Sequence, residues 1–179
     1  AIHHLFPLSS FPLCSSVGVR SAMTDVGFYH LQRTPLERAL PKLLEKALEC
    51  GMRALVLTES AERADHLNDL LWTYDPASFL PHGVERNGTP ERQPIWLTDS
   101  EANANQANLL VLLDSRDVAD LTAYERVIDI FDGQNDLAVS SARSRWKERK
   151  DAGHPLTYWQ QTDRGGWEKK AEANTEIAP

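Results

Sequence analysis

The sequence predicts one α/β domain built on a single doubly wound, mostly parallel sheet with helices on both faces. Three observations predict it. Short runs of branched and aromatic residues alternate with amphipathic stretches of helical period, a pattern that right-handed crossovers turn into a parallel sheet. Arg53-Ala54-Leu55-Val56-Leu57-Thr58 has an unbroken apolar centre, as a strand buried on both faces requires. At 179 residues, 41% apolar and 25% charged, the chain is long enough for one core and short for two.

Residues 1–22, AIHHLFPLSSFPLCSSVGVRSA, are Ser/Pro-rich, carry no charge before Arg20 and stop short of Met23. A signal peptide would open with basic residues, and Pro7 and Pro12 interrupt the apolar stretch. The segment is expected to be a non-domain extension, translated from upstream of a start at Met23, so that Cys14 and the His3-His4 pair carry no chemistry. The domain is expected over 23–158. Val26 to Leu31 is β-branched and aromatic and reads as a strand. In Thr34-Pro35-Leu36-Glu37, Thr34 is expected to cap a helix, with Pro35 at its first position and Glu37 completing a capping box. Leu36, Leu40, Leu43, Leu44 and Ala47 recur on one helical face, and Gly51 ends the helix in a left-handed turn.

After the second strand, Ser60 caps a helix to about Trp72, with Ala64, Leu67, Leu70 and Leu71 inward. Tyr74 to Pro94 is rich in Pro, Gly and Asn and is expected to be a long loop. Ile95 to Leu97 makes a weak strand, Asn108 to Leu113 a strong one and Glu125 to Phe131 another. A last helix runs from about Asn135 to Asp151, closed by Gly153 and Pro155. Residues 159–179 are polar and are expected to be a disordered tail.

The net charge of -7 excludes a chain that coats nucleic acid over its whole surface, so any basic function is local. Cys14 and Cys50 share no metal or redox spacing; neither a disulfide framework nor a zinc site is indicated, and a reducing cytoplasm is expected. No apolar run has the length to cross a bilayer. The first strand-to-helix turn, His30-Leu31-Gln32-Arg33-Thr34-Pro35, holds no glycine, and without glycines backbone amides do not approach a pyrophosphate closely. Phosphate-loop and nucleophile-elbow motifs are absent as well.

Asp114, Asp117 and Asp120 follow the strongest strand, where α/β enzymes place metal-binding carboxylates. A nucleotide- or phosphate-handling enzyme using Asp114, Asp117 and Mg²⁺ is therefore the alternative reading, set against an Asp-rich helix start. His30 at a strand end has no acid or nucleophile beside it in sequence, and His82 reads as part of a turn. Asn87-Gly88-Thr89 is first a turn signal. No cofactor is expected.

The informative stretch is Ala142-Arg143-Ser144-Arg145-Trp146-Lys147-Glu148-Arg149-Lys150. On a helix, Arg143, Trp146, Lys147 and Lys150 share one face. Cations around an aromatic platform suit an acidic peptide that ends in an apolar residue. The bland reading is a solvated basic face with Trp146 in the core. A second candidate surface is Trp72 with Phe79 and Leu80, at a helix end and in a proline-punctuated loop.

Thr24-Asp25-Val26-Gly27-Phe28-Tyr29-His30-Leu31, then Leu70-Leu71-Trp72 with Ser78-Phe79-Leu80-Pro81-His82, and finally Arg143-Ser144-Arg145-Trp146-Lys147 with Ala152-Gly153 resemble the chi subunits of bacterial DNA polymerase III. The resemblance covers about Met23 to Tyr158. It implies a Rossmann-like fold without nucleotide binding and a non-catalytic, cytoplasmic subunit of the replicase, with nucleic acid contacted only indirectly. It also implies a site for the acidic C-terminal tail of the single-stranded DNA-binding protein at Phe131, Arg143, Trp146, Lys147 and Gly153. Val139 stands where some relatives have a further basic residue. The block with Trp72, Phe79 and Leu80 is implied to meet a second partner, either the psi subunit that joins chi to the clamp loader or an accessory helicase.

Overall fold

A computed structural model of the chain describes residues 5–6, 11–14 and 23–175. Among the described residues, nine strands form one sheet in the order β1-β9-β8-β2-β7-β6-β3-β5-β4. In chain order they are β1 (Leu5–Phe6), β2 (Asp25–Leu31), β3 (Ala54–Leu57), β4 (His82–Val84), β5 (Ile95–Thr98), β6 (Leu109–Leu112), β7 (Arg126–Asp132), β8 (Leu156–Gln161) and β9 (Trp167–Ala173). From β8 across to β4 every pairing is parallel; β9 and then β1 add antiparallel on the outside. Three helices, α1 (Leu36–Glu49), α2 (Ala61–Thr73) and α3 (Asp136–Asp151), cover the sheet. The predicted doubly wound α/β architecture is the one observed.

Two cores lie on the two faces. Leu40, Leu43 and Leu44 of α1 and Leu67 of α2 pack with Val56, Ile95 and Ile130 on one side. Ala142 of α3, with Val118, Leu121 and Tyr124 from the loop before β7, packs with Phe28, Leu55 and Val127 on the other. β3, β5 and β6 are buried along their whole length, the state that an unbroken apolar run predicts for a strand between two helical layers. Gly51 ends α1 at φ +72°, a conformation that costs a residue with Cβ about 1 kcal/mol.

Four local expectations are corrected. The N-cap of α1 is Pro35, with no side-chain cap bond. The Thr34 hydroxyl accepts instead from the Gln161 side-chain amide at 2.8 Å, and Glu37 pairs with Arg63 of α2 at 3.2 Å. The expected loop 74–94 contains β4, which adds parallel to β5 as the sheet's edge. His82 in it is buried, its ring nitrogens 2.6 Å from the Leu80 carbonyl and 3.2 Å from that of Asn68. By contrast, the expected caps at Ser60 and Asn135 are both present.

The third correction is the tail. Far from fraying, residues 159–175 complete β8 and form β9, with Trp167 fully buried against Tyr29 and Phe11. One large side chain at the start of a polar strand is enough to dock it, because the remaining outward positions are solvated. Residues 176–179 lie outside those described. The fourth correction is at the N-terminus. Leu5–Phe6 pairs with β9, Phe11 and Leu13 are buried in the core, and the buried Arg126 donates to the Leu13 carbonyl. Cys14 and Cys50 form a disulfide, with Cα atoms 5.4 Å apart, so Cys14 is structural. His3, His4 and the rest of 1–22 lie outside the described residues.

Candidate functional site

The basic run divides in two when α3 settles on the sheet. Arg145 and Arg149, four residues apart, face inward. Arg145 forms a bidentate pair with Asp129 of β7, at 2.5 and 3.0 Å, and also donates to Ser141 Oγ at 2.6 Å. Arg149 pairs with Asp117 and donates to the Val118 carbonyl at 2.6 Å. Burial holds the Asp129 carboxyl above its usual range, with the Arg145 guanidinium opposing. These two arginines belong to the fold. Neither was separated from the run by its sequence, although i, i+4 spacing off the Arg143–Lys147 face is the signal that would have done so.

Arg143, Lys147 and Lys150 point outward and are exposed, while Trp146 is half-buried between them. The indole packs edge-on against Phe28 of β2, ring centres 5.4 Å apart, and against Tyr158 of β8 at 5.8 Å. Trp146 therefore has a fixed inner edge and a free outer one. Phe131, at 4% exposure, sits at the end of β7 beside His30 and Tyr158, at ring-centre distances of 5.2 and 6.2 Å. Its place is the floor of the patch. Gly153 follows α3 at φ +88° and is exposed. Val139 is partly buried on the sheet side. Parallel register explains the assembly. His30 is aligned with Phe131, and Phe28 with Tyr158, so alternate residues of three neighbouring strands emerge together beneath one helix.

The second surface is partly corrected. Trp72 and Phe79 are 58% and 70% exposed and lie 6.2 Å apart, and Trp72 also packs on His82 at 4.8 Å. Leu80 is 3% exposed and belongs to the core. Phe79 and Leu80 are neighbours in the segment that leads into β4, and one faces outward while the other faces inward.

The carboxyl edge of the parallel strands holds a crevice of about 560 Å³, lined by the turn after β2, by Glu59, Arg63 and Asp114, and by the start of α3. In doubly wound sheets this is where phosphates bind, on backbone amides. Here those amides are occupied from within. Gln32, Arg33 and Thr34 all donate their N–H groups to Oε1 of the buried Gln161, at 3.1, 2.8 and 3.0 Å. The carboxylates of the alternative reading do not converge either. Asp114 is held by Arg63 of α2 at 3.4 Å and accepts from the Glu59 N–H; Asp117 is held by Arg149 of α3. Their arginines come from helices on opposite faces of the sheet, so each carboxylate serves as a structural anion. Asp120 caps its own turn through Thr122.

Among the described residues, no helix is long and apolar enough to cross a membrane, and no group of three or more His, Cys, Asp or Glu side chains is placed to hold a metal.

Comparison with known proteins gives one consistent result. Residues 23–157 match the family described as DNA polymerase III chi subunit, HolC. A protein of Rickettsia prowazekii named as a probable DNA polymerase III subunit chi is 31% identical over 109 residues, which are 61% of this chain and 66% of that relative. The DNA polymerase III subunit chi of Haemophilus influenzae is 29% identical over 111 residues, 60% of this chain and 74% of the relative. That of Escherichia coli is 25% identical over 122 residues, 68% and 82%.

Proposed function

Since this chain belongs to the DNA polymerase III chi subunit family, we propose that it is a non-catalytic adaptor of the replicase that links the clamp loader to single-stranded DNA-binding protein by capturing that protein's acidic C-terminal tail. The observation that supports this is the outward face of α3. Arg143, Lys147 and Lys150 are exposed around a half-buried indole, while the other two arginines of the run are consumed by the core. Three cations thus remain for an external anion, and the free edge of Trp146 offers an apolar wall to a terminal hydrophobic side chain. DNA is reached through the captured protein, consistent with the acidic remainder of the chain.

A titration of the purified protein with a fluorescent peptide of several aspartates ending in phenylalanine, with a free carboxylate, tests the reading. Wild type is expected to bind, Arg143→Ala to bind at least ~10-fold more weakly, as loss of a charge-assisted hydrogen bond predicts, and Lys170→Ala on β9 to bind as wild type. Binding weakens as salt is raised, because charges at an exposed helix face are screened. Equal affinity of wild type and Arg143→Ala removes the mechanism.

Trp72 and Phe79 form the surface proposed for the second partner, the psi subunit or an accessory helicase. Two adjacent exposed aromatic rings at a helix end suit an apolar anchor of another protein. Phe79→Ala is expected to weaken assembly with that partner at least ~10-fold in size-exclusion and titration experiments, the loss typical of an aromatic anchor. Because the side chain is exposed, the fold should keep its melting temperature. Unchanged assembly would exclude this surface.

A further inference from the structure

The half-buried His30 lies in the patch described above and has no role in the tail-binding reading so far. Its Nδ1 is 2.6 Å from the Tyr158 hydroxyl, and its ring lies 5.2 Å from that of Phe131. Tyr158 in turn packs on Trp146 at 5.8 Å. An unbroken series of rings therefore runs from the indole to the imidazole along the side of the sheet that α3 covers. Gly133, in the turn between β7 and α3, keeps the imidazole in place from outside. A Cβ on Gly133 would fall 2.1 Å from His30 Nε2, so only glycine leaves room for the ring.

We propose that His30 is the titratable member of the tail site, and that its protonation adds a positive charge beside Arg143 which tightens capture of an acidic peptide as the pH falls. The inference rests on the adaptor reading and deepens it. The charged and titratable neighbours come from three elements: Arg143 on α3, Asp132 at the end of β7 and Tyr158 on β8. Burial lowers the His30 pKa from its ordinary value, Arg143 lowers it further and Asp132 opposes them. Burial raises that of Tyr158, with Arg143 opposing, so the phenol stays neutral when the imidazole titrates. In the free protein His30 is thus a neutral hydrogen-bonding group at pH 7 and above.

The sign follows from linkage. A polyanion seated on Arg143 offsets the repulsion that disfavours imidazolium, so His30 has a higher pKa in the complex than in the free protein. Affinity rises as the pH falls through the bound-state value and levels off below the free-state value. Aspartates of the peptide, titrating near 4, remain ionised between pH 8.0 and 5.5. A shift of one unit between the two states corresponds to a tenfold change in affinity.

The test is the same peptide titration at pH 8.0, 7.0, 6.0 and 5.5, at constant ionic strength, with the His30 ring followed by NMR in free and peptide-saturated protein. Wild type is expected to gain about three- to tenfold in affinity across the series, and the ring to titrate at higher pH in the complex. His30→Gln, which keeps a side chain able to bond Tyr158, is expected to lose the gain, binding no more tightly at pH 5.5 than it does at pH 8.0. Arg143→Ala should bind more weakly at every pH. Peptide binding that is independent of pH, or a His30 ring whose titration the peptide leaves unmoved, overturns the proposal and leaves the adaptor reading standing. Absence of binding by wild type at every pH overturns both. The NMR titration needs no substitution, so a poorly folded variant does not remove the test.

Discussion

Replacing Arg145 by methionine is expected to destabilise the protein by about 3–5 kcal/mol, the cost of removing one partner from a buried ion pair. Both side chains are almost wholly enclosed, at 6% and 4% exposure, and Arg145 supplies both bonds of the bidentate contact with Asp129. Methionine fills much of the same volume but leaves Asp129 without a cation. At this chain length each kcal/mol corresponds to roughly 2–4 °C, so thermal unfolding should show a fall of roughly 6–20 °C. Burial already raises the Asp129 pKa, and the variant removes the group that opposes it. A carboxyl with its folded pKa above its unfolded one binds more protons when folded, so its stability contribution is lost as the pH rises. The deficit of the variant relative to wild type should therefore narrow as the pH is lowered toward about 4, the unfolded value. Arg143→Ala, two residues away and exposed, should change stability by no more than about 0.5 kcal/mol. If the two variants unfolded at the same temperature, the division of the run into structural and free cations would be wrong.

Reduction of the Cys14–Cys50 bond should lower stability by about 3–4 kcal/mol on chain-entropy grounds, for a bridge joining residues 36 apart. The bond ties the segment that carries Phe11 and Leu13 to the end of α1. Both side chains lie in the core, with Phe11 between Tyr29 and Trp167 at ring-centre distances of 5.6 and 5.3 Å. Unfolding followed with and without a thiol reductant measures the effect, and Cys50→Ser should unfold at the lower temperature in either condition. A protein that titrates with two free thiols before reduction, and whose melting reductant does not move, would contradict the pairing.

Much of the fold was legible in the order of elements because it is written in local terms. The buried strands β3 and β6, the leucine stripe of α1, the Ser60 and Asn135 caps and the left-handed Gly51 each depend on residues within one or two helical turns. The absence of a glycine loop after β2 was equally visible; that Gln161 fills the amide nest was not, since it arrives from a strand 128 residues away in sequence. The same limit hid β9. Its one large apolar residue is Trp167 among charged residues and two alanines, and whether that tryptophan docks a strand depends on a cavity formed by Tyr29 and the N-terminal segment.

At the candidate site, the residue types of Arg143, Trp146 and Lys147 and their shared helical face follow from spacing alone. Only the tertiary structure decided which cations are available. Asp129 and Asp117 lie on other elements, and a buried carboxylate captures whichever arginine the helix rotation brings to it, because an unpaired charge in the core costs several kcal/mol. The rotation is set by Ala142 and Trp146 packing on the sheet, and it turns Arg145 and Arg149 inward while leaving Arg143, Lys147 and Lys150 to solvent. Sequence determined that the helix is basic and aromatic; the sheet beneath it determined which of its charges are free to meet a partner.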